Sequence, residues 1–141
     1  MNERREFLRL IAGVLSFVLS GCASQNEVQP GEDTTVVESG PGGTYRFEPE
    51  SVTIKTGETV RWSFPTRGHN VCCVPEDSDE VELPSGAEPF SSYDSDESPM
   101  TTVPKGEIYE HTFNTPGKYV YVCVPHVNFG MIGTVVVEEE E

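Results

Sequence analysis

From Thr44 onward, apolar residues recur at every second position over short stretches, and no stretch repeats them at helical spacing. Tyr45 and Phe47 alternate with Arg46 and Glu48, Val52 and Ile54 with Thr53 and Lys55, and Val60 and Trp62 flank Arg61. Val71 to Val74, Ile108 to Phe113, Tyr119 to Cys123 and Ile132 to Val137 add further β-branched and aromatic runs. Thr56-Gly57-Glu58 and Thr115-Pro116-Gly117 mark turns between them. About seven short strands divided by Gly and Pro turns predict an all-β chain, an antiparallel β-sandwich. Residues 75 to 101, rich in Ser, Asp, Glu and Pro, interrupt the pattern and read as a long surface excursion holding at most a short strand or turn. Glu138 to Glu141 reads as a solvated acidic end, and no internal repeat is visible.

The N-terminus follows a different logic. Three arginines (Arg4, Arg5, Arg9) precede an apolar run from Leu10 to Leu19, which is too short to span a bilayer as a mature helix and reads as a signal peptide over residues 1–21. Arg4-Arg5 followed by Glu6-Phe7-Leu8 is similar to a twin-arginine export signal, which implies export of a folded protein. Leu19-Ser20-Gly21-Cys22 is similar to a lipobox, in which the Cys22 thiol is lipidated and becomes the mature N-terminus. A two-chain lipid there would anchor the protein stably at the extracytoplasmic face of the cell membrane. Residues 22–43 are mostly polar, Gly and Pro, and read as a flexible tether with a reach of roughly 25 Å, so the expected domain runs from 44 to 141.

Charge narrows the function classes. The 141 residues carry 24 acids against nine bases, a formal charge of −15. Removal of the first 21 residues takes three bases and two acids with it and leaves six bases against 22 acids. That balance argues against binding a phosphate backbone, and no nucleic-acid partner is expected. Trp62, five Tyr and seven Phe supply a core, so the chain folds despite its charge. Self-repulsion on this scale is screened within about 3 Å in molar salt, which points to a salt-loving source. The chain is too short for a nucleotide-binding domain with a substrate domain.

The chemistry concentrates in Cys123-Val-Pro-His126-Val-Asn-Phe-Gly-Met131, where a thiol, an imidazole and a thioether fall within nine residues on a loop between two strands. Upstream, Gly68-His69-Asn70 opens another strand and supplies a second imidazole. Two imidazoles, a thiolate and a weak thioether form the donor set that electron-transfer copper sites use. Cys123 donates strongly to Cu(II), the imidazoles suit both oxidation states, and the soft sulfur of Met131 favours Cu(I). Each residue alone has an ordinary reading: a loop histidine at His69, a core thiol at Cys123, a surface residue at His126 and a core filler at Met131. Their joint spacing in an exported β-rich chain carries the copper reading, with one Cu(I)/Cu(II) ion per chain.

Cys-x₂-His-x₄-Met with a distant His-Asn resembles the plastocyanin group of cupredoxins, and the acidic lipoprotein context is similar to that of the halocyanins. Phe47-x-Pro49-x-x-Val52-x-Ile54, Gly57-x-x-Val60-x-Trp62 and Pro116-Gly117-x-Tyr119 extend the resemblance over 44–138. It implies a Greek-key antiparallel β-sandwich of about eight strands and a type 1 (blue) copper centre held by His69, Cys123, His126 and Met131. It assigns Asn70 a hydrogen bond that holds the two ligand segments together. Pro125, Val127, Phe129 and Gly130 would form an apolar docking patch around the exposed edge of His126. The function implied is one-electron transfer between membrane redox complexes by a non-enzymatic, monomeric carrier. The alternative is an extracytoplasmic copper store or delivery protein; a bare β-sandwich with coincidental site residues would bind no stoichiometric copper.

Cys72 and Cys73 depart from the family pattern, which has apolar residues on this strand. Strand alternation puts them on opposite faces, one filling the core and the other a more exposed thiol open to intermolecular pairing. Adjacent cysteines rarely bridge each other. His111 shares a strand face with Tyr109 and Phe113 and reads as a partly buried strand histidine, not a ligand.

Overall fold

The computed structural model describes residues 33–140 and is nearly all β. Nine strands form two sheets: β1 (Thr34–Ser39), β2 (Phe47–Glu48), β3 (Ser51–Lys55), β4 (Thr59–Ser63), β5 (Cys72–Cys73), β6 (Phe90–Ser91), β7 (Ile108–Thr112), β8 (Gly117–Val122) and β9 (Ile132–Glu138). One sheet has the order β2-β1-β4-β7 and the other β3-β9-β8-β5-β6. Short 3-10 turns at Pro41–Gly43, Pro75–Asp77 and Val124–Phe129 interrupt the loops. No described helix is long and apolar enough to cross a membrane.

The alternation read from the sequence sets the faces. In β4, Val60 and Trp62 turn inward and are fully buried, while Thr59, Arg61 and Ser63 are only half-buried. In β9, Gly133, Val135 and Val137 are buried between less buried neighbours. Trp62 reaches across the sandwich to Tyr121 of β8, ring centroids 5.2 Å apart, and Phe47 meets the same Tyr121 at 4.7 Å. These edge-on contacts lock one sheet to the other and carry stabilisation beyond the area they bury.

Three details differ from the sequence reading. The expected tether does not reach Gly43: Thr34 to Ser39 is a strand whose Val37 is fully buried opposite Trp62 of β4. The β-branched run Thr34-Thr-Val-Val37 finds a partner, but the following Ser, Gly and Pro residues disguise it as linker. The sandwich is mixed and not purely antiparallel, because β1 pairs parallel with β4 and β3 parallel with β9. Neither pair is consecutive in the chain, so each is joined by the long crossover that parallel pairing requires. Finally, the 75–101 excursion is not merely superficial. Val81, Phe90 and Tyr93 are buried, β6 extends the second sheet, and Glu82 bridges Val120.

The excursion also corrects the reading of the paired cysteines. Cys72 and Cys73 both have zero exposure. Cys73 lies close to the carbonyls of Val120 and Glu82, while Cys72 lies beside Tyr93 of the excursion, whose hydroxyl donates to Asp77 at 2.6 Å. The face that alternation would leave to solvent is covered by a segment too polar in composition to be recognised as a lid over β5.

Candidate metal centre

Cys123, His126 and Met131 occupy the loop of the β8–β9 hairpin. The tight 3-10 turn Val124–Phe129 is held by His126 N–H donating to Cys123 O at 3.0 Å and Gly130 N–H to Val127 O at 2.9 Å. Gly130, at φ 88°, ends that turn in a left-handed conformation that suits glycine. Two further bonds close the loop: Cys123 N–H to Met131 O at 3.1 Å and Met131 N–H to His126 O at 3.3 Å. The backbone of all three residues is thus fixed by the hairpin, and Met131 is completely buried. His69, 2% exposed, enters from the loop between β4 and β5.

The Cys123 Sγ lies 3.8 Å from His69 Nδ1 and 3.7 Å from His126 Nδ1, and the three donor atoms fall within 4.8 Å of one another. A first-row ion about 2.0–2.1 Å from nitrogen and about 2.3 Å from sulfur, with trigonal angles, separates the two donors by about 3.8 Å. The side chains therefore stand at the spacing that one shared ion requires. Two imidazoles and a thiolate, with the Met131 loop position beside them, match the trigonal His₂Cys set with weak axial thioether that copper prefers.

Burial sets the protonation of these groups. It holds His69 below the ordinary histidine range, with His126 adding a smaller repulsion, and it lowers His126 in the same direction. Both rings are thus favoured in the neutral form that binds metal. Burial pushes the Cys123 thiol up to about 11, against hydrogen bonds from the Asn70 and His126 backbones. Without a metal the thiol stays protonated at neutral pH.

The scaffold around the donors contains what the resemblance implied and more. Asn70, fully buried, accepts from Val124 N–H at 2.9 Å and donates to the carbonyls of Pro99 and Thr101, both at 2.8 Å. The ligand segments are joined through it, and the same side chain also ties in residues 99–101. Two further residues escaped the sequence reading. Gly40, at φ 71°, lies against the far edge of the His69 ring, where a Cβ would come within 2.1 Å of Nε2. Its carbonyl accepts the Thr66 hydroxyl at 2.6 Å, which ties the β1–β2 loop to the loop that carries His69. Tyr45, half-exposed, stacks on His126 with ring centroids 4.2 Å apart and 13° between planes, and its ring is 5.2 Å from Phe129. The Gly-Pro-Gly-Gly run was a legible turn signal for Gly40, whereas nothing in the alternation of Tyr45 and Phe47 pointed to a stack on a distant histidine.

Phe129, 68% exposed, stands on the surface beside His126, with Gly130 exposed and Pro125 and Val127 half-buried around it. His111 lies elsewhere, stacked on Phe90 at 4.0 Å, half-buried as expected of a strand histidine. Residues 1–21 and Cys22 lie outside the described residues.

The sequence matches a family model described as copper binding proteins, plastocyanin/azurin family, over residues 29–138. It is 43% identical over 112 residues to a plastocyanin from Scenedesmus fuscus, which covers 75% of this chain and all of that relative. It is 34% identical over 113 residues to a halocyanin from Natronomonas pharaonis, covering 78% of this chain and 60% of that one. Among solved structures, pseudoazurin from Methylobacterium extorquens AM1 superposes with a TM-score of 0.55 at 29% identity, covering 77% of each chain. A copper-containing nitrite reductase from Thermus scotoductus SA-01 matches at a TM-score of 0.55 and 26% identity, but this chain covers only 24% of it. With a His69, Cys123, His126 and Met131 copper-type site set in a two-sheet sandwich, the chain belongs to the plastocyanin/azurin family of cupredoxins, the type 1 copper electron carriers.

Proposed function

We propose that this cupredoxin is a one-electron carrier that shuttles between membrane redox complexes on the extracytoplasmic face of the cell membrane, tethered there through a lipid on Cys22. The observation that carries the reading is the convergence of His69 Nδ1 with Cys123 Sγ and His126 Nδ1 at metal-ligand spacing, the last two on a hydrogen-bonded hairpin loop and the first on the loop between β4 and β5. Copper held there supplies a one-electron Cu(I)/Cu(II) couple. The protein's contribution is restraint: a hairpin and the Asn70 bonds keep the donors in place, so little rearrangement accompanies a change of charge.

His126 is the half-buried ligand and lies nearest the surface, so partners are met on its side. Phe129, Pro125, Val127 and Gly130, with Tyr45 stacked on the ring, make that side apolar. In a salt-loving setting, apolar burial persists where long-range charge steering is screened. The tether rests on the Leu19-Ser20-Gly21-Cys22 motif, and the chain acts as a monomer without catalysis of its own.

The decisive experiment is addition of one equivalent of Cu(II) to the reduced, folded domain at high salt. An intense blue thiolate-to-copper absorption with a narrow copper hyperfine splitting, absent in Cys123→Ser, is the expected result. A colourless or weakly coloured Cu(II) protein would overturn the reading in favour of copper storage.

A further inference from the structure

The cationic side chains of the described chain are few, and fewer than half of them stand in ion pairs. Residues 33–140 contain six bases, Arg46, Lys55, Arg61, Arg67, Lys105 and Lys118, in a chain of formal charge −15. Arg46 pairs with Glu48 at 3.1 Å and Arg61 with Glu110 at 2.6 Å. Arg67 and Lys105 form no ion pair among the described residues, both are exposed, and both line one cleft of about 410 Å³ together with Gly68, Thr102, Val103 and Pro104. Two uncompensated cations sharing a concavity on a strongly acidic protein form a local reversal of its field.

The position of this cleft gives it meaning. Gly68 precedes His69, and a Cβ built on it would sit 3.7 Å from Cε1 of His126. The floor is bonded to the metal-site scaffold: Val103 N–H donates to His69 O at 2.9 Å, Gly106 N–H to Phe64 O at 2.8 Å, and Thr101 O accepts from Asn70. The cleft therefore opens beside His126, on the side of the molecule that carries the exposed Phe129 and Tyr45.

We propose that the Arg67–Lys105 cleft receives carboxylates from the surface of an acidic redox partner protein, and so orients that partner over the edge of His126. This rests on the electron-carrier reading above. A guanidinium recognises a carboxylate in a two-point geometry and an ammonium adds a point charge, so both suit such a group. An apolar centre with Tyr45 and Phe129 beside a charged rim has the composition of a protein interface, which favours a protein-borne carboxylate over a free anion. The remaining acidic surface repels the same partner, so attraction confined to one cleft selects a single orientation.

The test uses copper-loaded, reduced protein labelled with ¹⁵N and titrated at low salt with hexaglutamate or, separately, inorganic phosphate. Hexaglutamate is expected to shift the amides of Gly68, Thr102, Val103 and Lys105 saturably. Its dissociation constant should rise about tenfold or more in Arg67→Glu/Lys105→Glu and change less than about twofold in Lys55→Glu/Lys118→Glu, which carries the same added charge at the opposite end of the sheet. Equal weakening in both double variants would mean bulk charge alone and overturn the proposal, as would phosphate binding as tightly as hexaglutamate. The colour of the oxidised sample separates the two readings. A blue sample with unshifted amides overturns the cleft alone; a colourless one overturns the carrier and the cleft with it.

Discussion

The side-chain carbonyl of Asn70 accepts the backbone N–H of Val124 at 2.9 Å, so the neighbour of one metal ligand is bonded to the neighbour of another. His69 and Cys123 are 54 residues apart in sequence, yet one amide side chain ties their two segments together. Asn70→Ala would leave Val124 N–H and the carbonyls of Pro99 and Thr101 without this partner in a buried setting. The expected cost is about 3 kcal/mol in the metal-free protein, read from urea unfolding under reducing conditions. A loss below about 1 kcal/mol would mean that water replaces the side chain.

Gly40→Ala probes the opposite side of His69. The new methyl group would need space already filled by the imidazole, at a backbone angle of φ 71° that alanine avoids. Copper affinity is expected to fall at least about tenfold, equivalent to about 1.4 kcal/mol. Competition with a chelator of known affinity measures it, and an unchanged affinity would show that the β1–β2 loop can move away freely.

Copper uptake must displace a proton. With the Cys123 thiol pushed up to about 11 and both ligand histidines favoured neutral, binding near pH 8 should release about one proton per copper, all of it from the thiol. Calorimetry in buffers of different ionisation heat counts that proton. Release close to zero would mean that the metal-free site already holds a thiolate.

The metal-free protein should lose stability as pH falls from 7.5 to 5.5. Burial lowers His69, His126 and His111, the last against an opposing pull from Glu88. Each therefore favours its neutral form when folded, while the unfolded chain takes up protons near 6.5. The unfolded state binds more protons in this window, so the stabilisation is complete above 6.5 and lost progressively below it. His111→Phe should flatten the dependence without touching the donors. An equally steep dependence in that variant would assign the whole effect to the two ligand histidines.

Much of this was legible from residue order alone. Alternation at Val60 and Trp62 gave the inward face of β4, and the spacing of Cys123, His126 and Met131 marked the loop. What escaped was whatever depends on partners remote in sequence. Thr34 to Ser39 looked like linker because its identity as a strand comes from β4, not from its own flanks. One of Cys72 and Cys73 looked more exposed because alternation puts them on opposite faces but cannot say that the 75–101 excursion will cover the outer one. Tyr45 looked like one more strand aromatic until the fold placed it on His126.

Phe129→Asp addresses the apolar side without requiring a known partner. On the proposed reading, two copies of the copper-loaded protein would exchange electrons with each other when their His126 sides meet, and high salt removes much of the repulsion between them. A charge at the most exposed aromatic should slow that self-exchange about tenfold, measured by line broadening in mixtures of the two oxidation states. Tyr45→Ala should slow it as well, by removing the ring that covers His126. An unchanged rate in both variants would place the contact elsewhere.

The parallel pairing of β3 with β9 joins Ser51–Lys55 to Ile132–Glu138, across most of the length of the sandwich sequence. Met131 directly precedes β9, so the last ligand arrives with the last strand. A chain emerging from the ribosome can hold His69 long before it can hold Cys123, His126 and Met131, and closure over such sequence separations is slow compared with local hairpins. Completion of the fold and completion of the donor set are therefore a single late event. A polypeptide truncated before Ile132 still carries all four donor residues but lacks β9, so the hairpin that fixes Cys123, His126 and Met131 cannot close.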